Sequence, residues 1–241
     1  MSELLVLPSP ERLAHAAAKR VADLAATAMG KRGRFVLALA GGSTPRPTYQ
    51  LLSEGHAGLA VDWSHVELFW GDERCVPPDH PNSNYRMVCQ ALLERVEVPV
   101  HRVHRIRGEL PPEEAAGAYQ EELKAVLGVE GRFDLILLGL GSDGHTASLF
   151  PGTAALEVRR RDVVAVYVEE LASWRVTLTL PVINAARHVI FLVSGARKAD
   201  ALARVLAGER LPAGLVQPNQ GTLAWLVDQD AAAGLPSQDV A

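Results

Sequence analysis

Short runs of continuous apolar residues alternate along the chain with longer stretches whose apolar positions recur at helical spacing. Ser9-Pro10-Glu11 reads as a helix start, a serine N-cap followed by proline in the first turn. The alanine-rich stretch 11–29 continues that helix, and Gly30 is read as its end. Residues 35–40 are almost wholly apolar and run directly into glycines, the pattern of a strand buried on both faces. Residues 45–54 read as the next helix. The scheme then repeats: a strand at 66–70 runs into a polar, proline-containing loop, and helices follow at 85–95 and 113–127. A second buried strand spans 133–138, and 163–168 and 175–180 are β-rich. A strand at 188–193, a helix at 196–207 and a late strand at 223–227 complete the order. Such alternation predicts an α/β fold, Rossmann-like, with a mostly parallel sheet and helices on both faces, in one domain over residues 1–241.

Three predicted strand ends share a feature: Ala40 runs into GGSTP, Trp70 into GDER, and Leu138 into GLGSDGHTAS. Ligands of open α/β sheets bind beyond the carboxyl ends of the strands, so if these strands are neighbours their loops converge on one crevice. In GGSTP, Gly41 and Gly42 let a ligand approach the backbone, and Ser43 and Thr44 add hydroxyls where a helix begins. That arrangement suits a phosphate; the alternative is a tight turn with Ser43 or Thr44 as the helix cap. The GxxxxGK[ST] spacing of a nucleotide P-loop is absent. In GDER, the Arg74 guanidinium suits bidentate phosphate recognition, with a loop salt bridge to Asp72 or Glu73 as the alternative and a catalytic role for either carboxylate also open.

GLGSDGHTAS is the most informative segment. Gly139, Gly141 and Gly144 permit a tight loop around Asp143 and His145. Histidine titrates near pH 6.5, so His145 can take a proton from water and later return it. Asp143 either orients the imidazole or binds substrate hydroxyls. The same glycines match a loose GxGxxG, but no acidic residue stands at the end of a following strand to hold a ribose. Lys198 lies at a helix start, where a cation opposes the helix dipole unless an anion is bound. Arg175 starts a strand, with structural pairing and ligand contact both open. His101 and His104 lack a third acidic ligand and read as surface positions, and the basic run 159–161 reads as a solvated loop.

Bulk properties narrow the classes. The chain has 241 residues, 48% hydrophobic and 22% charged, a globular balance. Its net charge of −4 argues against wrapping nucleic acid, which needs clustered basic residues. Two cysteines, Cys75 and Cys89, show neither metal nor disulfide spacing and read as reduced thiols; Cys75 is given no role. The N-terminal segment MSELLVLPSPERL lacks the basic region of a signal peptide, and no apolar run approaches the ~20 residues of a membrane span. The expected setting is cytoplasmic, with no membrane or nucleic-acid partner and a monomer or weak homo-oligomer.

Taken in order, LALAGGSTPRPTYQLL, VELFWGDERCVPPDHPNSNYRM, FDLILLGLGSDGHTASLFPGT, RVTLTLPVIN and FLVSGARKADAL make a chain that resembles the 6-phosphogluconolactonases, over residues 35–225. The resemblance implies hydrolysis of 6-phospho-D-glucono-1,5-lactone to 6-phosphogluconate in the pentose phosphate pathway, with no metal or organic cofactor. It implies His145 as general base with Asp143 beside it. Gly42, Ser43, Thr44, Arg74 and Lys198, and more weakly Arg175, would hold the sugar phosphate. The oxyanion donor is not identified by the sequence; backbone N–H groups of the 139–144 loop are the candidates. The implied fold is shared with glucosamine-6-phosphate deaminase/isomerase. That sister family has a motif close to DGHIAFNEP, with a glutamate five residues after the histidine, where this chain has Phe150. A deaminase, a non-catalytic sugar-phosphate-binding regulator and a dinucleotide oxidoreductase are the competing readings.

Overall fold

The computed structural model describes residues 2–56, 58–128 and 131–236. In chain order the main elements are β1 (Glu3–Leu7), α1 (Pro10–Arg32), β2 (Phe35–Leu39), α2 (Arg46–Glu54), β3 (Val66–Trp70), β4 (Asp72–Arg74), α3 (Asn84–Val88) and α4 (Pro112–Leu127). There follow β5 (Leu135–Gly139), β6 (Val163–Val168), β7 (Ser173–Leu178), α5 (Leu180–Ala185), β8 (His188–Val193), α6 (Ala199–Leu206), β9 (Thr222–Asp228) and α7 (Gln229–Ala232). Six strands form a wholly parallel sheet in the order β1-β9-β8-β5-β2-β3. β4, β7 and β6 form a small antiparallel sheet. Every residue of β2 is buried, as expected of a strand covered on both faces.

The adjacency of β8, β5, β2 and β3 brings the glycine-rich strand ends side by side. Two tyrosines finish the ladder there. The Tyr49 hydroxyl on α2 accepts from Ala40 N–H and donates to Ala40 C=O, both at 2.9 Å. Tyr119 on α4 treats Trp70 in the same way, at 2.8 and 2.9 Å. Each hydroxyl satisfies backbone groups that the sheet leaves unpaired where the chain turns out of it.

The opposite, entry end is tied by Asp134, which is buried. Its Oδ2 accepts from Val36 N–H at 2.9 Å, and its N–H donates to Val36 C=O at 3.0 Å. The same carboxylate pairs with Arg32 at 2.7 Å and with Arg187 at 3.4 Å.

Several expectations need correction. Gly30 lies inside α1; the helix ends at Gly33, whose φ of 72° suits glycine and whose N–H donates to Met29 C=O. The predicted 85–95 helix is only partly α-helical. α3 gives way to a π-helical turn over Cys89–Leu93, in which Glu94 N–H reaches Cys89 C=O. β1, an edge strand on β9, was hidden in a four-residue apolar run before Pro8, and β4 in the polar GDER segment. His104 is not a surface residue. It is buried between Glu67 (2.9 Å) and Glu122 (2.8 Å) and stacks on Phe69 with ring centroids 4.3 Å apart. His101 is exposed, as expected.

Candidate active site

A crevice of about 400 Å³ opens at the carboxyl ends of β8, β5, β2 and β3. Its walls include Gly42, Ser43 and Thr44 beyond β2, Arg74 beyond β3, His145 beyond β5, and Lys198 beyond β8. A larger cleft of about 800 Å³, lined among others by Leu206, Val216 and Trp225, shares no residue with it and contains none of the glycine loops. The crevice is therefore the candidate site, by the nature of its side chains rather than its size.

The loop after β2 is shaped for close approach. Gly42 has a φ of 89°. A Cβ on Gly41 would sit 2.0 Å from Asn84 Oδ1, so glycine is required there by contact. Neither Ser43 nor Thr44 caps α2: the N-cap is Pro45, without a side-chain hydrogen bond. Both hydroxyls line the crevice in front of the helix N-terminus, where N–H groups favour an anion.

The loop after β5 holds Asp143 and His145 together. His145 Nδ1 lies 2.6 Å from Asp143 Oδ1, which also accepts from His145 N–H at 3.2 Å. Burial raises the Asp143 pKa, but the His145 charge and hydrogen bonds outweigh it, and the net shift is downward. With Nδ1 engaged, Nε2 is the ring nitrogen left for proton transfer. Gly141 N–H donates to His145 C=O at 2.8 Å and Gly144 N–H to Gly141 C=O at 3.1 Å. Both groups are used inside the loop, which removes them from the candidate oxyanion donors. Ala147, with a φ of 48°, is a strained non-glycine residue at the crevice wall. No helix opens on this loop: it leads to a 3-10 turn at Ala154–Glu157. The dinucleotide fingerprint, which needs strand, glycine loop and helix in succession, is excluded on that ground.

GDER does different work from a loop salt bridge. Glu73 is buried and accepts from Arg74, Asn84 and Tyr85 N–H groups, at 2.7, 2.8 and 2.8 Å, and from Ser83 Oγ at 3.0 Å. Burial pushes its pKa up despite those donors. Asp72 accepts from Ser148 Oγ at 2.6 Å and Asn84 Nδ2 at 3.2 Å, joining the loops that follow β3 and β5. Arg74 Nη1 donates to Asn82 C=O at 2.5 Å. Arg175 stands opposite Arg74 in the β4–β7 register and is not among the residues lining the crevice. Burial, then the Arg74 charge, lowers its pKa. Lys198 ends a 3-10 turn and caps α6; burial and then Arg197 lower its pKa, and Asp143 opposes them. Asp143 likewise reaches the crevice only through His145.

Asp72, one of the two GDER carboxylates noted from sequence, also lines the crevice, as do Asn84 and Arg197, which were not singled out from sequence. Asn84 and Arg197 sit in the segments PNSNYR and SGARK that carry the family resemblance, but nothing in their spacing marks them. Phe150 stacks on the His145 ring, centroids 4.0 Å apart at 25°. Among the described residues no cluster of three His, Cys, Asp or Glu could hold a metal ion.

Residues 8–225 match the family model described as glucosamine-6-phosphate isomerases/6-phosphogluconolactonase. The chain belongs to this family. Within the isomerase/lactonase family it is 45% identical over 217 residues to a 6-phosphogluconolactonase of Synechocystis sp., covering 86% of this chain and 88% of that protein. The solved 6-phosphogluconolactonase of Trypanosoma brucei superposes with a TM-score of 0.88 at 32% identity, covering 98% of this chain and 99% of that one. A monomeric glucosamine-6-phosphate deaminase shares the fold, with a TM-score of 0.81 at 24% identity over 96% of this chain and 99% of that one. The family's α/β architecture is thus common to both activities, and the site residues must separate them.

Proposed function

We propose that the chain hydrolyses 6-phospho-D-glucono-1,5-lactone to 6-phospho-D-gluconate, a step of the pentose phosphate pathway, with His145 as general base. The carrying observation is the Asp143–His145 pair in a crevice whose other walls present Ser43, Thr44, Arg74 and Lys198. The names of the similar lactonases, over most of both chains, support the same activity.

Lys198, the GGST hydroxyls and the α2 N-terminus take the phosphate, Arg74 adds charge, and Arg175 reinforces Arg74 from behind. Anchoring the phosphate places the lactone carbonyl against His145 and makes attack nearly intramolecular. His145 Nε2 removes a proton from water as the oxygen adds to C1. The tetrahedral adduct collapses by breaking the bond from C1 to the ring oxygen, which receives the proton back from the imidazolium. Asp143 holds the ring through Nδ1 and stabilises its charged form. The product acid ionises, so one proton is released per turnover at neutral pH. The deaminase reading is disfavoured because Phe150 occupies the place of the carboxylate that reaction calls for.

The working unit is the whole chain, since site residues run from Gly42 to Lys198 and the sheet is completed by β1 and β9. The two unpaired thiols suit the cytoplasm as the compartment, and no described helix is long and apolar enough to cross a membrane.

The test is acid release from freshly generated lactone, read above the spontaneous rate. Wild type accelerates it, His145→Ala loses most of kcat, and Lys198→Ala mainly raises KM. Near-full turnover by His145→Ala would remove it as the base, and equal rates on unphosphorylated gluconolactone would remove the phosphate anchor.

A further inference from the structure

The imidazole of His145 is held along its Nδ1–Cε1 edge, against which Gly141 also packs. Asp143 Oδ1, at 2.6 Å from Nδ1, fixes a point and leaves the ring free to tip about the hydrogen-bond axis. A base must keep its second nitrogen aimed at the water it activates, so a single hydrogen bond under-determines the geometry. Phe150 supplies the missing constraint. Its ring lies over the imidazole at 4.0 Å between centroids and 25° between planes. Phe150 is 6% exposed and is absent from the crevice wall, so it touches the base from behind and not the substrate. The chain around it is firm. Its carbonyl accepts from Thr153 N–H at 3.2 Å and Thr153 Oγ1 at 2.8 Å, and Leu149 N–H donates to Thr146 C=O at 2.9 Å. Ser148, two residues earlier, is tied to Asp72. Phe150 is thus an anchored plate and His145 the part it steadies.

We propose that Phe150 is a positioning residue for hydrolysis: it sets the plane of the His145 ring while Asp143 sets its edge. This rests on the reading of His145 as base. A hydrogen bond defines direction and a stacked face defines tilt, so the two together leave Nε2 one orientation. An aliphatic side chain of similar bulk fills the volume but has no planar face, and the ring regains its tilt.

The experiment compares Phe150→Leu, Phe150→Met and Phe150→Tyr with wild type and His145→Ala, by lactone hydrolysis and by NMR of the histidine ring protons. Phe150→Leu is expected to lower kcat roughly tenfold or more, with KM within about twofold, because a misplacement approaching 1 Å costs up to ~100-fold. The ring-current displacement of the His145 signals disappears in that variant. Phe150→Tyr, which keeps the face, retains both turnover and displacement. Phe150→Met serves the same comparison if the leucine variant does not fold. Unchanged kcat in the leucine or methionine variant, or an equal loss in the tyrosine variant, overturns the positioning role. Turnover surviving in His145→Ala would instead sink the base assignment itself, which separates the two failures.

Discussion

Gly141→Ala is the sharpest test of how the acid/base pair is built. A Cβ at that position would lie 2.1 Å from His145 Nδ1, 2.3 Å from Cε1 and 2.5 Å from Asp143 Oδ1. Ordinary contact begins at about 3.4 Å, so the ring must retreat by the difference, roughly 1.3 Å. Displacement on that scale costs on the order of 100-fold in rate, or about 2.7 kcal/mol of transition-state stabilisation. The fold has less at stake. Gly141 does not need a left-handed backbone, and the pair it disturbs is part-exposed, worth at most about 1 kcal/mol. For a chain of this size that is a Tm change of about 2–4 °C. The residues proposed to hold the phosphate stand on other loops, so KM should move by no more than about threefold. Thermal melts and steady-state acid release from the phosphorylated lactone measure both sides. A folded Gly141→Ala enzyme with kcat within twofold of wild type would refute the geometric reasoning, since the methyl group cannot be accommodated with the pair in place.

Other consequences can be checked by melting experiments. Tyr49→Phe and Tyr119→Phe each leave a buried N–H and C=O at a strand end without their partner; each should cost about 2–3 kcal/mol in urea unfolding. Gly30→Ala, inside α1 with open space around it, should stabilise by about 0.5–1 kcal/mol. Gly33→Ala, at a φ of 72°, should destabilise by about 1 kcal/mol; the opposite ordering would show the helix end to be misplaced. Burial lowers the His104 pKa, but Glu122 and Glu67 outweigh it and the net shift is upward. A base with a raised folded pKa stabilises fully below its unfolded value of about 6.5 and loses that contribution as pH rises through the folded value. The stability gap between wild type and His104→Gln should therefore be about 2 kcal/mol at pH 6 and shrink by pH 9. A pH-independent gap would contradict the ion-pair account.

The strands were readable from apolar, β-rich runs: 66–70, 163–168 and 188–193 match β3, β6 and β8, even though Tyr167 of β6 is exposed. The neighbourhood of β2, β3 and β5 was readable for a different reason, since glycine stands at or just past the end of each of these strands, at 41, 71 and 139. β4 escaped because its three residues pair with β7 through the backbone while their side chains perform local tasks, leaving no apolar signal. His104 escaped because its neutralising partners, Glu67 and Glu122, are 37 and 18 residues away, and single-residue spacing cannot show a pairing made by folding. In the crevice, the glycines, His145 and Lys198 announced themselves by residue type at strand ends. Asn84 did not, and the role of Asp72, noted only as one of two GDER carboxylates, was missed, because both depend on a side-chain contact between the loops after β3 and β5. Phe150 was noticed only for the carboxylate it replaces; that it faces the base is a matter of tertiary geometry.

The Asp134 tie makes the two ends of the parallel sheet unequal in their motion. Val36 and Asp134 exchange hydrogen bonds while Arg32 and Arg187 close over the carboxylate, so amide hydrogens at the entry end should exchange with solvent only when the whole sheet opens. Ser43, Asp143 and Lys198 belong to loops beyond the strands at the exit end, and their amides are expected to exchange through local openings that leave the Asp134 tie intact.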